Sequence, residues 1–442
     1  MESMNGRKKT AQVVLLLAVP VLAIAGCGES VQTPGTDTPW TTYESDLPRN
    51  QPPATTETEL DALVRGNHEF AIDLYGQFRT EDGNLLISPV SIRIAFAMAY
   101  GGAKGQTAAE IADVMHFPFG GEALHDAMNA LDLALARRNL PATPDEDPVE
   151  LHLVNAFWGQ EGEAFRPDYL DLLAVYYGSA MRALDFVHEP EESRSIINAW
   201  VAERTRQRIL KLLPPGSIDP LTVAVLTNAL YFKAPWADPF PEYATSDGPF
   251  HLKDGTLLTV PMMHATESHR YAAGDGWQAL EMDYRGEELS MVFLLPDKGT
   301  FDEFEAGLDA DRLETMLGSL EDASVTVTIP KFTFGSESMF LNDPLIALRM
   351  PSPFVARSAD FSGIWGEPGE MWISSVYHKT FIAVDEKGTE AAAATAIVFE
   401  RLSILPGEPA VFTADRPFMF LIRDRMTGAL LFFGRVLDPT AE

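Results

Sequence analysis

Between Glu386 and Pro406 the chain reads E-K-G-T-E-A-A-A-A-T-A-I-V-F-E-R-L-S-I-L-P: a charged start with a glycine, a run of small residues, then a hydrophobic stretch closed by proline. Four consecutive alanines favour helix or linker, because alanine is the best helix former. Laid out as a strand, the same run divides by face. Thr389, Ala391, Ala393, Thr395, Ile397 and Phe399 share one uncharged side, while Glu390, Ala392, Ala394, Ala396, Val398 and Glu400 share the other, which carries a glutamate at each end. That division suits a strand with one face buried and the other wet. Pattern alone leaves both readings open.

A chain of 442 residues can hold one large domain or two to three average ones, and a hydrophobic content of 46% is ample for a substantial core. The 33 Lys and Arg against 64 Asp and Glu give a formal net charge of −31, which disfavours binding of nucleic acid or anionic lipid through surface charge. Cys27 is the single cysteine, so an intramolecular disulfide cannot form.

Arg7, Lys8 and Lys9 precede an apolar run over residues 11–25, the charged and hydrophobic regions of a secretory signal, short for a membrane span. The run ends in I-A-G-C at Cys27, which resembles the bacterial lipobox. Residues 1–26 are accordingly expected to be removed and Cys27 to carry acyl chains that anchor the chain at the bacterial cell envelope after export across the inner membrane. An ordinary signal peptide with an incidental cysteine is the plainer alternative. Residues 27–58, rich in Thr and Pro, read as a flexible tether, and folding is expected from residue 59 to 442.

Leu60, Leu63, Val64, Phe70, Leu74 and Phe78 fall at mostly helical spacing and predict a helix over 59–78. A short strand then passes through Ser88 and Pro89 into an apolar helix ending at Gly101 and Gly102; taken alone, Ser-Pro-x-Ser reads as an N-cap. Further along, the patterns predict a helix over 122–138, a buried strand over 151–158, and a helix over 196–213 with basic residues toward its end. A strand and turn cover 223–240, several short strands 262–296, a helix 301–320, and a strand with one polar face 325–332. Near-continuous apolar runs on either side of residues 425–428 indicate a buried hairpin.

The segment H-K-T-F-I-A-V-D-E-K-G-T-E-A-A-A-A-T from His378 to Thr395 resembles the hinge and reactive-centre loop of the serpins, the serine protease inhibitor family. N-A-L-Y-F-K-A-P-W-A-D-P-F from Asn228, L-L-I-S-P-V-S from Leu85 and A-D-F-S-G-I from Ala359 are similar to further serpin segments, so the resemblance covers about residues 59–439. It implies one α+β domain with a large central mixed sheet, smaller sheets, about eight to nine helices, and an exposed loop over 386–410. It marks Glu386, Gly388, Thr389, Glu390, Ala391, Ala392, Ala393, Ala394 and Thr395 as hinge. Ser88, Ser91, Asn228, Trp236 and His378 are marked as structural groups of the shutter and breach beneath the sheet.

In that family a target protease cleaves the loop, forms an acyl-enzyme, and is carried off as the loop inserts into the sheet as a new strand. Small, neutral residues are compatible with such insertion, whereas proline or an inward charge would block it. The resemblance thus implies a serine protease as covalent partner, no catalytic group of the chain's own, no cofactor or metal, and a monomer. Family spacing from Glu386 places the cleaved bond between Leu402 and Ser403, which suits chymotrypsin-, elastase- or subtilisin-like enzymes. Because the segment 403–416 is longer than in familiar members, Arg401–Leu402 is the second choice, and it would point to trypsin-like enzymes. A non-inhibitory carrier or chaperone is the alternative role; bulky or charged hinge residues mark such members, and the small residues here argue against it. No G-x-S-x-G elbow, H-E-x-x-H helix or phosphate loop occurs, and the nine histidines show no metal spacing. Arg137 and Arg138 are the only cations of the helix over 122–138, so no glycosaminoglycan site is expected there.

Overall fold

The computed structural model describes residues 38–144, 146–390 and 408–441. A short strand β1 (Thr41–Tyr43) precedes helix α1 (Glu57–Phe78), which opens on a capping box: the Thr56 hydroxyl accepts from the Glu59 amide and the Glu59 carboxylate accepts from the Thr56 amide. Next come β2 (Leu85–Ile87), α2 (Pro89–Tyr100), α3 (Gly105–Val114) and α4 (Gly121–Ala136). They lead to β3 (Glu150–Gln160), α5 (Pro167–Leu172), β4 (Met181–Leu184), α6 (Pro190–Arg204) and β5 (Ala224–Pro235). Strands β6 (Ser246–His251), β7 (Leu257–Gly274), β8 (Trp277–Asp283) and β9 (Leu289–Pro296) follow, then helices α7 (Phe301–Ala306) and α8 (Ala310–Gly318). The remainder is β10 (Glu321–Pro330), β11 (Phe332–Gly335), β12 (Met339–Phe340), α9 (Asn342–Ala347), β13 (Ser375–Lys379), β14 (Phe381–Asp385), β15 (Gly388–Thr389), β16 (Ala410–Thr413), β17 (Phe418–Asp424) and β18 (Leu430–Val436).

Two mixed sheets organise these elements. The first runs β1-β4-β3-β5-β15-β14-β11, with β13 also on β5 and β12 on β13; the second runs β16-β10-β7-β8-β9-β17-β18-β2, with β6 on β7. Helix α2 packs against β3 and β5 of the first sheet and β18 of the second, so it needs apolar residues on every side. Its one interior cation, Arg93, is satisfied by the carbonyls of Leu63, Met115 and His116 at 2.7, 2.8 and 3.0 Å. The hairpin of β17 and β18 is buried along almost its whole length, as its apolar runs require. These layers form the single α+β domain expected.

Several sequence expectations need correction. Residues 38–56 are not a flexible tether: β1 pairs with β4, Trp40 meets the Trp158 ring edge-on at 5.8 Å, and Arg49 binds Asn129 and Asp132 at 2.8 and 2.5 Å. A few such anchors in a polar segment dock it, and average composition hides them. The helix expected to reach Leu213 ends at Arg204, where the Thr205 hydroxyl donates to the Val201 carbonyl and Arg206 and Gln207 turn left-handed at φ 51° and 63°. The helix expected over 301–320 is two, because the chain leaves α7 at Gly307 and Asp309 caps α8 through the Arg312 amide. Among the strands expected over 262–296, β7 is a single strand of 18 residues that pairs in turn with β6, β10 and β8. Ser88 occupies the N-cap position of α2 but makes no capping bond with its hydroxyl.

Candidate functional site

Gly388 and Thr389 lie as a two-residue strand between β5 and β14, antiparallel to both, with Gly388 opposite Pro235 and Asp385, and Thr389 opposite Ala234 and Val384. Only glycine fits the first position. A Cβ on Gly388 would stand 2.2 Å from the Ala234 carbonyl oxygen, and its φ is +154°. Thr389 is 2% exposed, and its hydroxyl meets that of Tyr284 at 2.6 Å. Tyr284 in turn stacks on Trp236, ring centroids 4.5 Å apart and planes 6° from parallel. The Trp236 indole donates to the Asp385 carbonyl at 3.0 Å, while the Trp236 and Phe240 amides donate to the carbonyls of Lys387 and Glu386. The turn that delivers β15 is therefore held by backbone and by an aromatic pair.

Glu390, the residue after β15, is left-handed, φ 52°, uncommon for a residue with a side chain. Its carboxylate accepts from Arg208 Nε at 2.6 Å and from the Tyr231 hydroxyl at 3.3 Å. The expectation of a wet face fails at this position, since Glu390 is 9% exposed. Burial raises its pKa and outweighs the opposing pull of Arg208, so the ionised carboxylate sits there at a cost. Burial also works against ionisation of Glu386, but Lys331 at 2.7 Å and the Thr245 hydroxyl at 2.8 Å outweigh it and leave that carboxyl below its ordinary range.

Further along the same slot the sheet is closed. Ser375–Lys379 pairs directly with Val225–Ala229 in parallel, five residue pairs in register. Beneath this seam lies a buried polar network. The Ser88 amide donates to His378 Nε2 at 3.0 Å, so that nitrogen is the acceptor, and His378 Nδ1 donates to Asn228 Oδ1 at 2.6 Å. Asn228 Nδ2 donates to Ser91 Oγ and Asn155 Oδ1 at 2.6 and 2.7 Å. Complete burial holds the His378 pKa down to about 3, so the ring is neutral at ordinary pH. The network tethers α2 to β3, β5 and β13 with uncharged groups, an arrangement suited to a seam and not to catalysis.

Ser88, Ser91, Asn228 and His378 thus come together, while Trp236 belongs to the hinge pocket beyond the other end of β5. Asn155, Arg208, Tyr231, Tyr284, Thr245 and Lys331 complete the two sites and were missed by sequence reading; each sits in an ordinary strand or turn pattern, and only the pairing of strands brings it near. Ala391, Ala392, Ala393, Ala394 and Thr395, the bond at Leu402–Ser403 with its alternative Arg401–Leu402, and Cys27 lie outside the described residues. Among the described residues no group of three or more His, Cys, Asp or Glu could hold a metal ion.

The family model for Serpin (serine protease inhibitor) matches residues 65–439. An uncharacterized serpin-like protein of Thermococcus kodakarensis is 38% identical over 435 residues, covering 97% of this chain and 99% of the relative. The leukocyte elastase inhibitor of Homo sapiens is 36% identical over 391 residues, covering 86% of this chain and 100% of its own. Among solved structures, the thermophilic serpin tengpin in its native state superposes with a TM-score of 0.78 at 27% identity, covering 89% of this chain and 97% of that one.

Proposed function

The chain belongs to the serpin family, and from that premise we propose that it inhibits serine proteases as a suicide substrate. The observation that carries this reading is the hinge: Gly388 and Thr389 already occupy the first two places of a strand position between β5 and β14. The residues that follow, Ala391 to Thr395, are small and uncharged. Each further step along the loop moves one residue back along both neighbours. Six steps beyond Thr389, Thr395 reaches Asn228 on one side (234 − 6) and His378 on the other (384 − 6), the heart of the closed seam. Insertion must therefore part the five pairs between β5 and β13 and rearrange the network beneath them.

The target supplies the nucleophile, attacks the carbonyl of Leu402, and becomes an acyl-enzyme. The rest of the loop then adds to the sheet, completing a strand from Lys387 to about Glu400 that spans roughly 50 Å, at about 3.3 Å per residue, and carries the tethered enzyme along it. Deacylation fails once the enzyme's site is distorted. The native state is held kinetically, with the unfilled strand position as the source of driving force. Leu402 suits chymotrypsin-, elastase- or subtilisin-like enzymes; a bond at Arg401–Leu402 would select trypsin-like ones. The chain acts as a monomer, exported and held at the cell envelope by acyl chains on Cys27.

Incubation with chymotrypsin tests the reading. The expected product is a covalent complex that survives boiling in detergent, together with a released fragment beginning at Ser403. Cleavage of the loop without complex would instead assign the chain to the non-inhibitory members, and a fragment beginning at Leu402 would move the bond to Arg401.

A further inference from the structure

A cleft of about 490 Å³ opens between the end of α4, the strand β3 and the turn after α6. Its size falls in the range of small-molecule sites. Leu135, Ala136, Leu151, Leu153 and Val154 supply an apolar lining. Polar groups join them: Asp132 and Asn139 from the α4 side, His152 of β3, and Glu203, Arg204 and Arg206 where α6 gives way to the left-handed turn.

The ionic state of this lining is uneven. Asp132, also in the cleft, is taken up by Arg49 at 2.5 Å, and Arg206 is taken up by Glu150 at 2.7 Å. Arg204 has only Glu203, at 3.5 Å with a carboxylate side chain that is 78% exposed. Its guanidinium lies over the Trp200 ring at 4.4 Å, and a second guanidinium, Arg182, lies over the same ring at 5.0 Å with no ion pair among the described residues. Two under-neutralised cations beside one another are anomalous on a chain of net charge −31. Burial lowers the Arg204 pKa and, with the charge of Arg204, lowers that of Arg182 to about 10, a sign that the cationic forms lack a counter-charge. Nε2 of His152 is buried without a hydrogen-bond partner among the described residues, and burial holds this ring's pKa down.

We propose that the cleft binds an amphipathic organic carboxylate, with its hydrocarbon body on the lining from α4 and β3 and its carboxylate on Arg204. The apolar lining selects the body, and Arg204, held only by a long contact to the exposed Glu203, selects the head. A neutral alcohol of equal length would satisfy the lining but leave Arg204 as it is. A bare anion would do the reverse.

Decanoate and decanol are the probes, added to the full chain and followed by isothermal titration calorimetry. Saturable one-to-one binding of decanoate is expected, at least tenfold tighter than decanol. Ala136→Phe, at an exposed position of the cleft, should weaken decanoate at least tenfold by filling the space, and Arg204→Gln should bring decanoate down to the level of decanol. Circular dichroism and thermal melting check that both variants fold; the comparison of the two probes on the unaltered chain stands without them. No saturable heat with decanoate, equal binding of both probes, or decanoate binding indifferent to both folded variants would overturn the proposal.

Discussion

Thr389 and Glu390 are neighbours with opposite energetics. Thr389 is buried with its hydroxyl satisfied by Tyr284, whereas Glu390 is buried as a charge whose pairing with Arg208 does not recover the cost of burial. Replacing Thr389 with Arg would place an unpaired charge in the second position of β15, at a cost of roughly 3 kcal/mol or more. The expected outcome is cleavage of the variant as a plain substrate; undiminished formation of covalent complex on a gel would contradict the role assigned to this face. Arg208→Ala leaves the Glu390 carboxylate without its cation. Because Arg208 is half exposed, the loss is set lower, at about 1 kcal/mol, and should appear as faster hydrogen exchange at the Glu390 amide, which donates to the Ala383 carbonyl.

The two titrating groups act in opposite directions. His378 has its folded pKa depressed to about 3 against an ordinary 6.5, so the unfolded chain binds the extra proton first. Its contribution is therefore complete above about pH 6.5 and is lost progressively as pH falls toward 3. Glu390, with a raised pKa, disfavours the inserted hinge as pH rises through the carboxylate range. A stability-against-pH profile of His378→Asn should accordingly be flatter between pH 6.5 and 3 than that of the parent chain; unchanged slopes would show that the seam histidine does not titrate with unfolding.

At the scale of elements, β15 depends on a missing side chain. Gly388→Ala drives a Cβ into the backbone of Ala234 and Pro235 and should expel the hinge from the sheet, slowing complex formation at least tenfold without loss of the fold. The register carried on from β15 makes a second statement: in the cleaved form Thr395 lies between Asn228 and His378. A crystal structure of that form reads it directly, since a slip of one residue would turn every side chain to the other face.

Long periodic or continuous apolar segments, such as α1 and the β17–β18 hairpin, were legible in the sequence because one local pattern decides them. The end of α6 was not, because a Thr hydroxyl and an Asn amide overrule the helical spacing of Ile196–Leu213 there. The docked segment 38–56 was not, because it is held by the pairing of β1 with β4 and by scattered side chains such as Trp40 and Arg49 in polar surroundings. Within the site, the motif residues Ser88, Asn228 and His378 were legible through family resemblance. Asn155, which joins their network, and Tyr284 and Arg208, which hold Thr389 and Glu390, come from strands and turns whose meeting no local pattern encodes.

For the whole molecule, the account makes the native fold a sheet short of one strand. The proposed anchoring through Cys27 is tested separately: Cys27→Ser should leave the protein outside the membrane fraction, because the net charge of −31 opposes adsorption to anionic lipid. Persistent membrane association of that variant would point to a retained apolar segment over residues 11–25. The central claim is that the loop becomes the missing strand once cut. About ten new backbone hydrogen bonds at roughly 1 kcal/mol each, with the apolar burial of Ile397 and Phe399, would accompany that step. Scanning calorimetry of the intact chain and of the chain nicked within the loop measures it most directly. The nicked form is predicted to melt at least about 10 °C higher; equal melting temperatures, or a lower one for the nicked form, would contradict the account.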